Sequence, residues 1–117
     1  MAADPLFGVH GAALAIRSQR LAMLASNIAN AGTPGYKARD VDFDQAMALA
    51  TGEGKSAGDA VGAATKYRVP IQPSQDGNTV ELSTEQTMFA ENAVQYRTTL
   101  SFLEGRIATV MQALRGE

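Results

Sequence analysis

Residues 83–115, STEQTMFAENAVQYRTTLSFLEGRIATVMQALR, carry the strongest structural signal in the chain. Apolar side chains recur there in alternating steps of four and three residues, which is typical of a helix with one continuous apolar seam. The pattern predicts a helix from Thr84 to Arg115, about 48 Å long at 1.5 Å per residue. Ser83 and Gln86 have the spacing of a capping box at its start. The seam consists of Phe89, Ala93, Tyr96, Leu100, Leu103, Ile107, Val110 and Leu114.

A helix of this length with one narrow seam needs a second long helix beside it, and the N-terminal segment supplies one. Apolar residues recur at helical spacing from Pro5 to Ala31, and Asp4 and Pro5 suit the N-cap and first helical positions. Gly8 and Gly11 weaken the first turns by about 1 kcal/mol each relative to alanine. We expect a mainly α fold in which the two helices form an antiparallel coiled coil. The predicted contacts join Leu14, Leu21, Leu24 and Ile28 to Leu100, Leu103, Ile107, Val110 and Leu114.

The first helix runs into a polar corner, ASNIANAGTPGYKA, at residues 25–38. Gly32 is placed to end the helix in the left-handed conformation, and Pro34 cannot continue a helix. Residues 33–36, Thr-Pro-Gly-Tyr, fit a type II turn with Pro34 and Gly35 at its centre. Asn27 and Asn30 share one face of the last turns. One interpretation is that their side chains cap the corner locally. The other is that they fix its angle or bond to a neighbouring subunit, and the two interpretations are compatible.

The middle of the chain, residues 32–82, reads as mostly extended. Val41 and Phe43 alternate on one face of an extended piece, and a short helix is expected from Asp44 to Ala50. Residues 51–65 are rich in Gly and Ala and predict a flexible loop. After them, residues 66–74 and 79–82 flank a QDGN turn and suggest a β-hairpin. The whole is expected to be one domain: residues 1–31, 32–82 and 83–117 form its N-terminal helix, middle and C-terminal helix.

Composition and motifs argue against catalysis. The chain has a net charge of −2 and no cysteine, which gives no basic face for nucleic acid and no thiolate chemistry. GEGKS at residues 52–56 lacks the first glycine of a phosphate-binding loop, because that position is Leu49. His10 is the only histidine, and the alternating Asp40, Asp42 and Asp44 lack the glycine and glutamate of a calcium loop. We expect no catalytic residue, cofactor, metal or small-molecule substrate.

More apolar surface is present than two helices can cover. This excess predicts assembly with other chains, and a soluble helical adaptor or secretion chaperone is the alternative. No apolar run reaches the ~20 residues of a membrane span, and the N-terminus lacks the basic region of a Sec signal. The residues left outside the predicted seam are Val9, Ile16, Met23, Val94, Phe102 and Met111.

Two blocks resemble bacterial flagellar rod and hook proteins. LASNIANAGTPGYKARDVDF, residues 24–43, is similar to their N-terminal signature, and residues 73–107 resemble the C-terminal half of a proximal rod member. The resemblance implies a non-enzymatic subunit that leaves the cell through the flagellar export apparatus without leader cleavage. It implies helical assembly around the export channel in the periplasm and transmission of torque to the distal rod and hook. The free helices would then be partly unfolded.

The resemblance also implies partners and contact residues. The expected partners are copies of the chain, other rod proteins, the membrane-ring and adaptor proteins of the basal body, and the export apparatus. The corner would lie where one subunit meets the next. Its residues are Asn27, Asn30, Gly32, Thr33, Pro34, Gly35 and Tyr36.

Overall fold

The structure is a computed structural model that describes residues 8–116. Over those residues it contains four helices and one two-stranded sheet, and the molecule measures 64 × 27 × 18 Å. No helix among the described residues is long and apolar enough to cross a membrane. The elements are α1 (Gly8–Ala29), β1 (Arg39–Val41), α2 (Phe43–Gly52), α3 (Ala57–Ala64), β2 (Thr65–Tyr67) and α4 (Leu82–Arg115).

Helices α1 and α4 pack side by side in opposite directions. The ring of His10 stacks on Phe102 near one end, and Asn27 bonds to Glu85 near the other. Helix α4 has 34 residues against 22 in α1, or about 51 Å against 33 Å. The helices are antiparallel, so two residues towards the N-terminus from His10 correspond to two residues towards the C-terminus from Phe102. Gly8, the first described residue of α1, therefore lies near Glu104. The last turns of α4 therefore extend past the described part of α1.

This offset corrects the predicted helix contacts. Ile107, Val110 and Leu114 were expected to pack against α1, but their exposed fractions are 41%, 38% and 79%. They lie beyond the point where described residues of α1 face α4. Upstream, the buried residues of α4 are mostly polar, whereas the sequence predicted an apolar seam. They are Glu85, Asn92, Thr99 and Leu103.

The ends of the long helices differ from the predictions at several points. The expected start of α1 at Asp4 and Pro5 lies outside the described residues. Gly32 does not take a positive φ, so the predicted left-handed cap is wrong; the chain leaves α1 through turns, in which Ala31 N–H donates to Ile28 O at 3.2 Å. The capping box is also wrong. Helix α4 begins one residue before Ser83, and its N-cap Glu81 makes no side-chain capping bond, because its carboxylate accepts from Ile71 N–H at 3.2 Å.

The middle of the chain is more helical than the sequence suggested. The predicted short helix is present as α2, although it starts at Phe43, which was expected in an extended segment. The flexible loop expected over residues 51–65 is wrong at residues 57–64, which form α3 behind the N-cap Ser56. Alanine has the highest helix propensity, and its small side chain lets helices approach closely. A segment without large apolar residues therefore forms a helix here, with one face buried through Ala60, Val61 and Ala64.

The predicted β-hairpin is replaced by a different strand pair. Strand β2 pairs antiparallel with β1, with Arg39 opposite Tyr67 and Val41 opposite Thr65. Residues 79–81 form no strand, because the backbone there bonds to the corner instead, for example Thr79 N–H to Tyr36 O at 2.9 Å. The sheet thus links the segment before α2 to the segment after α3.

A small core lies between α1, β1, α2 and α3. Ile16, Val41 and Val61 are its largest buried members, and the other buried members are alanines. The guanidinium of Arg17 lies 3.9 Å from the centre of the Phe43 ring at the core's edge. Burial, and then the neighbouring charge of Arg20, lower the pKa of Arg17. The core alanines are Ala46, Ala50, Ala60 and Ala64, with Val61 beside them.

Candidate functional site

The corner after α1 is a hydrogen-bonded turn. Tyr36 N–H donates to Thr33 O at 3.2 Å, and Gly35 has a φ of 75°. Both features match the predicted type II turn, in which only the third residue requires a positive φ. Residues 32–35 are exposed, so the turn lies at the surface of the subunit.

A second loop, residues 76–79, lies along the corner and makes four hydrogen bonds to it besides the contacts of the Asn78 side chain. Gly35 N–H donates to Asp76 O at 2.9 Å, and Lys37 Nζ donates to Gly77 O at 2.6 Å. Thr79 N–H donates to Tyr36 O, and the Thr79 hydroxyl accepts from Ala38 N–H at 2.8 Å. This loop, which includes most of the QDGN segment, is therefore held against the corner by tertiary hydrogen bonds.

Asn78 provides the cap that α1 lacks locally. Its buried Nδ2 lies 2.9 Å from Asn30 O, 3.0 Å from Ala31 O and 2.8 Å from Thr33 O. Its Oδ1 accepts from Val80 N–H at 2.7 Å. The last carbonyls of a helix have no partner within the helix. A side chain 45 to 48 residues away satisfies carbonyls at and just after this helix end.

Asn27 makes all the hydrogen bonds that its side chain can make. Its Nδ2 donates to Arg39 O at 2.6 Å and to Glu85 Oε2 at 3.0 Å. Its Oδ1 accepts from Arg39 N–H and from the Tyr36 hydroxyl, both at 3.2 Å. A buried amide with two donors and two acceptor sites filled is fully satisfied. Asn27 thus joins α1 to the corner, to β1 and to α4.

Asn30 has a more local role. Its Nδ2 donates to Ser26 O at 2.8 Å, and its Oδ1 accepts from the Thr33 hydroxyl at 3.0 Å. Of the readings that the sequence left open, local capping describes Asn30, whereas fixing the angle of the corner describes Asn27. Asn27 is completely buried, so no part of its side chain is free for a neighbouring subunit.

Four charged side chains extend the site from Asn27 across the molecule. Arg20 on α1 donates two hydrogen bonds to Asp40, at 2.8 and 2.9 Å. Arg68 lies 3.2 Å from the second oxygen of Asp40 and binds both oxygens of Glu85, at 2.9 and 3.2 Å. The group alternates in sign and sums to zero. Arg20 with Asp40, and Arg68 with Glu85, each make two parallel contacts, which is the bidentate geometry of arginine–carboxylate pairs.

The charges and bonds around the site shift two pKa values. Burial alone would lower the pKa of Arg68, but the hydrogen bond to Glu85 and the charges of Asp40 and Glu85 together raise it. The pKa of Asp76 is lowered, first by the N–H of Asn78 and then by the Ser74 hydroxyl. Both shifts hold these groups in their charged forms. Within residues 8–116, no group of three or more His, Asp or Glu side chains is placed to hold a metal ion.

Comparison with known proteins shows which family has this architecture. The family model described as "Flagella basal body rod protein" matches residues 7–37, which cover α1 and the turn. The flagellar basal body rod protein FlgB of Cereibacter sphaeroides is 47% identical over 120 residues, with 94% of each chain covered. FlgB of Aeromonas hydrophila is 44% identical, with 97% and 96% covered, and FlgB of Escherichia coli K12 is 41% identical, with 88% of each.

The chain belongs to the FlgB family of flagellar basal body rod proteins. It is a structural component of the flagellar basal body and not an enzyme. The resemblance read from residues 24–43 and 73–107 is therefore confirmed. The hydrogen bonds and ion pairs of the site described above hold the subunit together.

Apart from the exposed Ile107, Val110 and Leu114, the residues predicted to pack between the helices fall into two groups. Leu24 and Leu103 are buried, whereas Leu14, Leu21, Ile28 and Leu100 are half-buried. The sequence pattern did not indicate Glu85, Arg68 or Asn78 as part of a site. Glu85 lay in the predicted first turn of the C-terminal helix, whereas Arg68 and Asn78 lay in the segment predicted as a β-hairpin. Most of their partners are 17 to 58 residues distant, so no local spacing joins them.

Proposed function

We propose that the chain is a subunit of the proximal rod that assembles helically around the export channel and transmits torque to the distal rod and hook. The observation that supports this is the exposed apolar surface on the second half of α4. Monomeric proteins rarely leave a contiguous apolar surface of this kind open to water. The surface consists of Phe102, Ile107, Val110, Met111 and Leu114.

A second exposed apolar stripe supports assembly through the middle of the chain. Tyr67 at the end of β2, with Val69 and Ile71 after it, are large apolar residues that are all exposed. The stripe and the α4 surface together give each subunit two distinct apolar contacts, as a helical assembly with head-to-tail interfaces requires.

The proposed partners are copies of this chain, other rod proteins, the membrane-ring and adaptor proteins, and the export apparatus. At the corner we assign the subunit contact to the exposed Gly32, Thr33, Pro34 and Gly35, and not to Asn27. We further propose that α1 and α4 pair as an antiparallel coiled coil in the rod and that residues 1–117 form one domain. Torque would then be spread over many weak side-chain contacts along the helices.

The test compares two charged substitutions on the same exposed turn of α4. Leu114→Asp places a charge in the apolar surface, whereas Gln112→Asp adds the same charge at an exposed polar position. We expect Leu114→Asp to abolish swimming and recovery of the chain in isolated basal bodies, with helical content unchanged by circular dichroism. Gln112→Asp should retain at least about half of normal swimming speed, since isolated surface substitutions are nearly neutral.

Normal basal bodies from Leu114→Asp would contradict the role of the α4 surface. A purified wild-type chain that stays a discrete monomer or dimer at all concentrations, together with normal motility of that variant, would favour a transient adaptor instead.

A further inference from the structure

Four side chains, Arg20, Asp40, Arg68 and Glu85, tie together parts of the chain that are otherwise separate. We name this group the charge latch. Arg20 belongs to α1, Asp40 to β1 and Glu85 to the first turns of α4, while Arg68 directly follows β2. Each carboxylate of the charge latch contacts Arg68, so this one guanidinium lies between the sheet and α4.

The charge latch is shielded from water. Glu85 is 0% exposed, and the side chains of Arg68 and Asp40 are each 15% exposed. Removing one partner of a buried ion pair leaves the other charge uncompensated, which is strongly destabilising. The only other polar partner of Glu85 among the described residues is the amide of Asn27, which is neutral.

The position of Arg68 depends on the sheet. Its own N–H donates to Ala38 O at 2.8 Å, one step beyond the β1–β2 pairing. The guanidinium can therefore reach Glu85 only when β2 is paired with β1 and the start of α4 is docked on α1. Opening the sheet alone would leave Glu85 buried without a cation. Undocking α4 alone would leave Arg68 with Asp40 as its one remaining carboxylate, and Asn27 Nδ2 with the Arg39 carbonyl as its one remaining acceptor.

We propose that Arg68 couples closure of the β1–β2 sheet to docking of the first half of α4, so that these parts of the subunit open and close as one unit. The last turns of α4, from Glu104 onward, are exposed and lie outside the charge latch. This inference concerns the free subunit, and it stands or fails separately from the assembly surfaces proposed above.

Hydrogen exchange of the purified full chain, read by mass spectrometry, tests the coupling. Arg68→Gln removes the central cation, and Lys66→Gln is the matched control from the same strand segment. Lys66 also makes an ion pair, with Asp42 at 3.2 Å, but its side chain is 63% exposed. We expect Arg68→Gln to raise the amide exchange rates of residues 57–67 and 82–92 on the order of a hundredfold, with the same factor in both segments. Lys66→Gln should change both by less than about threefold.

Faster exchange confined to residues 65–68, with residues 82–92 unchanged, would overturn the coupling.

A double variant tests the coupling even if the single variant unfolds. Arg68→Met with Glu85→Met replaces the buried pair by apolar side chains, which proteins often tolerate. We expect this double variant to exchange at least about tenfold more slowly than Arg68→Met alone. Additive effects of the two substitutions, or a double variant as unfolded as the single one, would show that the side chains do not act as a pair.

Discussion

The side-chain amide of Asn27 donates a hydrogen bond to the buried carboxylate of Glu85 at 3.0 Å, across 58 residues of sequence. Asn27 stands in the motif that ends α1, and Glu85 stands in the first turns of α4. The contact makes the corner a junction of three elements, because Asn27 also bonds both backbone groups of Arg39 in β1. The motif therefore fixes tertiary structure as well as a turn.

Replacing Asn27 should cost much more stability than replacing Asn30. Asn27→Ala removes one of the hydrogen bonds to the buried Glu85 carboxylate, which keeps Arg68, and takes away the side-chain partner of both backbone groups of Arg39. The lost bonds predict a decrease of about 3 kcal/mol in the free energy of unfolding. Asn30→Ala removes two bonds at a half-buried site and should cost under about 1 kcal/mol. Urea unfolding followed by circular dichroism measures both. Equal losses would mean that the bond to Glu85 contributes little.

Gly35 and Gly32 should respond in opposite ways to alanine. At both positions an added Cβ meets no atom within 4 Å, so only backbone conformation distinguishes them. Gly35 has a φ of 75°, and forcing alanine into it costs about 1 kcal/mol, whereas Gly35→Val should cost more. Gly32→Ala should be neutral or slightly stabilising, because it restricts the unfolded chain. Urea midpoints of the two alanine variants provide the comparison. A destabilised Gly32→Ala variant would indicate that Gly32 does take the left-handed conformation.

The capping of the end of α1 by Asn78 can be tested with a nearly isosteric substitution. Asn78→Asp keeps the shape but replaces the donor that faces Asn30, Ala31 and Thr33 carbonyls with a carboxylate. We expect a loss of at least about 2 kcal/mol at neutral pH and faster amide exchange at the end of α1. Gln75→Glu makes the same amide-to-acid change at an exposed position in the same loop and should be nearly neutral. Similar losses in both variants would point to added charge as the cause.

Part of the acid sensitivity should come from Asp42, the N-cap of α2. Its pKa is lowered, first by the N–H of Gln45 and then by the Lys66 ammonium. A lowered pKa means that the folded state favours the carboxylate. The resulting stability is fully present above the ordinary value of 3.8 and disappears as the pH falls through the lowered one.

Asp42→Asn isolates this contribution, because asparagine caps helices about as well as aspartate but does not titrate. We expect the urea midpoint to fall less between pH 5.5 and pH 2.5 in Asp42→Asn than in the wild type. Lys66→Gln should show an intermediate dependence, since the Gln45 bond remains. An unchanged pH dependence in Asp42→Asn would assign acid sensitivity to other carboxylates, including Asp76.

The parts of the fold that were predictable depend on neighbours in sequence. The periodicity around Leu103 predicts α4, and Pro34 with Gly35 predicts the turn, because helix spacing and φ preferences are properties of a few consecutive residues. The parts that were missed depend on distant partners. The sheet pairs Arg39 with Tyr67, and the end of α1 is capped by Asn78, so no local pattern contains either fact.

Sequence alone determined two long helices, the turn between Thr33 and Tyr36, and membership in a rod family. Tertiary structure alone decided that residues 57–64 are a packed helix, that β1 pairs with β2, and that Glu85 is buried rather than solvated. The physical reason is that alanine and charged residues have no fixed environment of their own. Alanine is buried wherever close helix packing offers room, and a carboxylate is buried only where other parts of the chain bring a cation such as Arg68 to it.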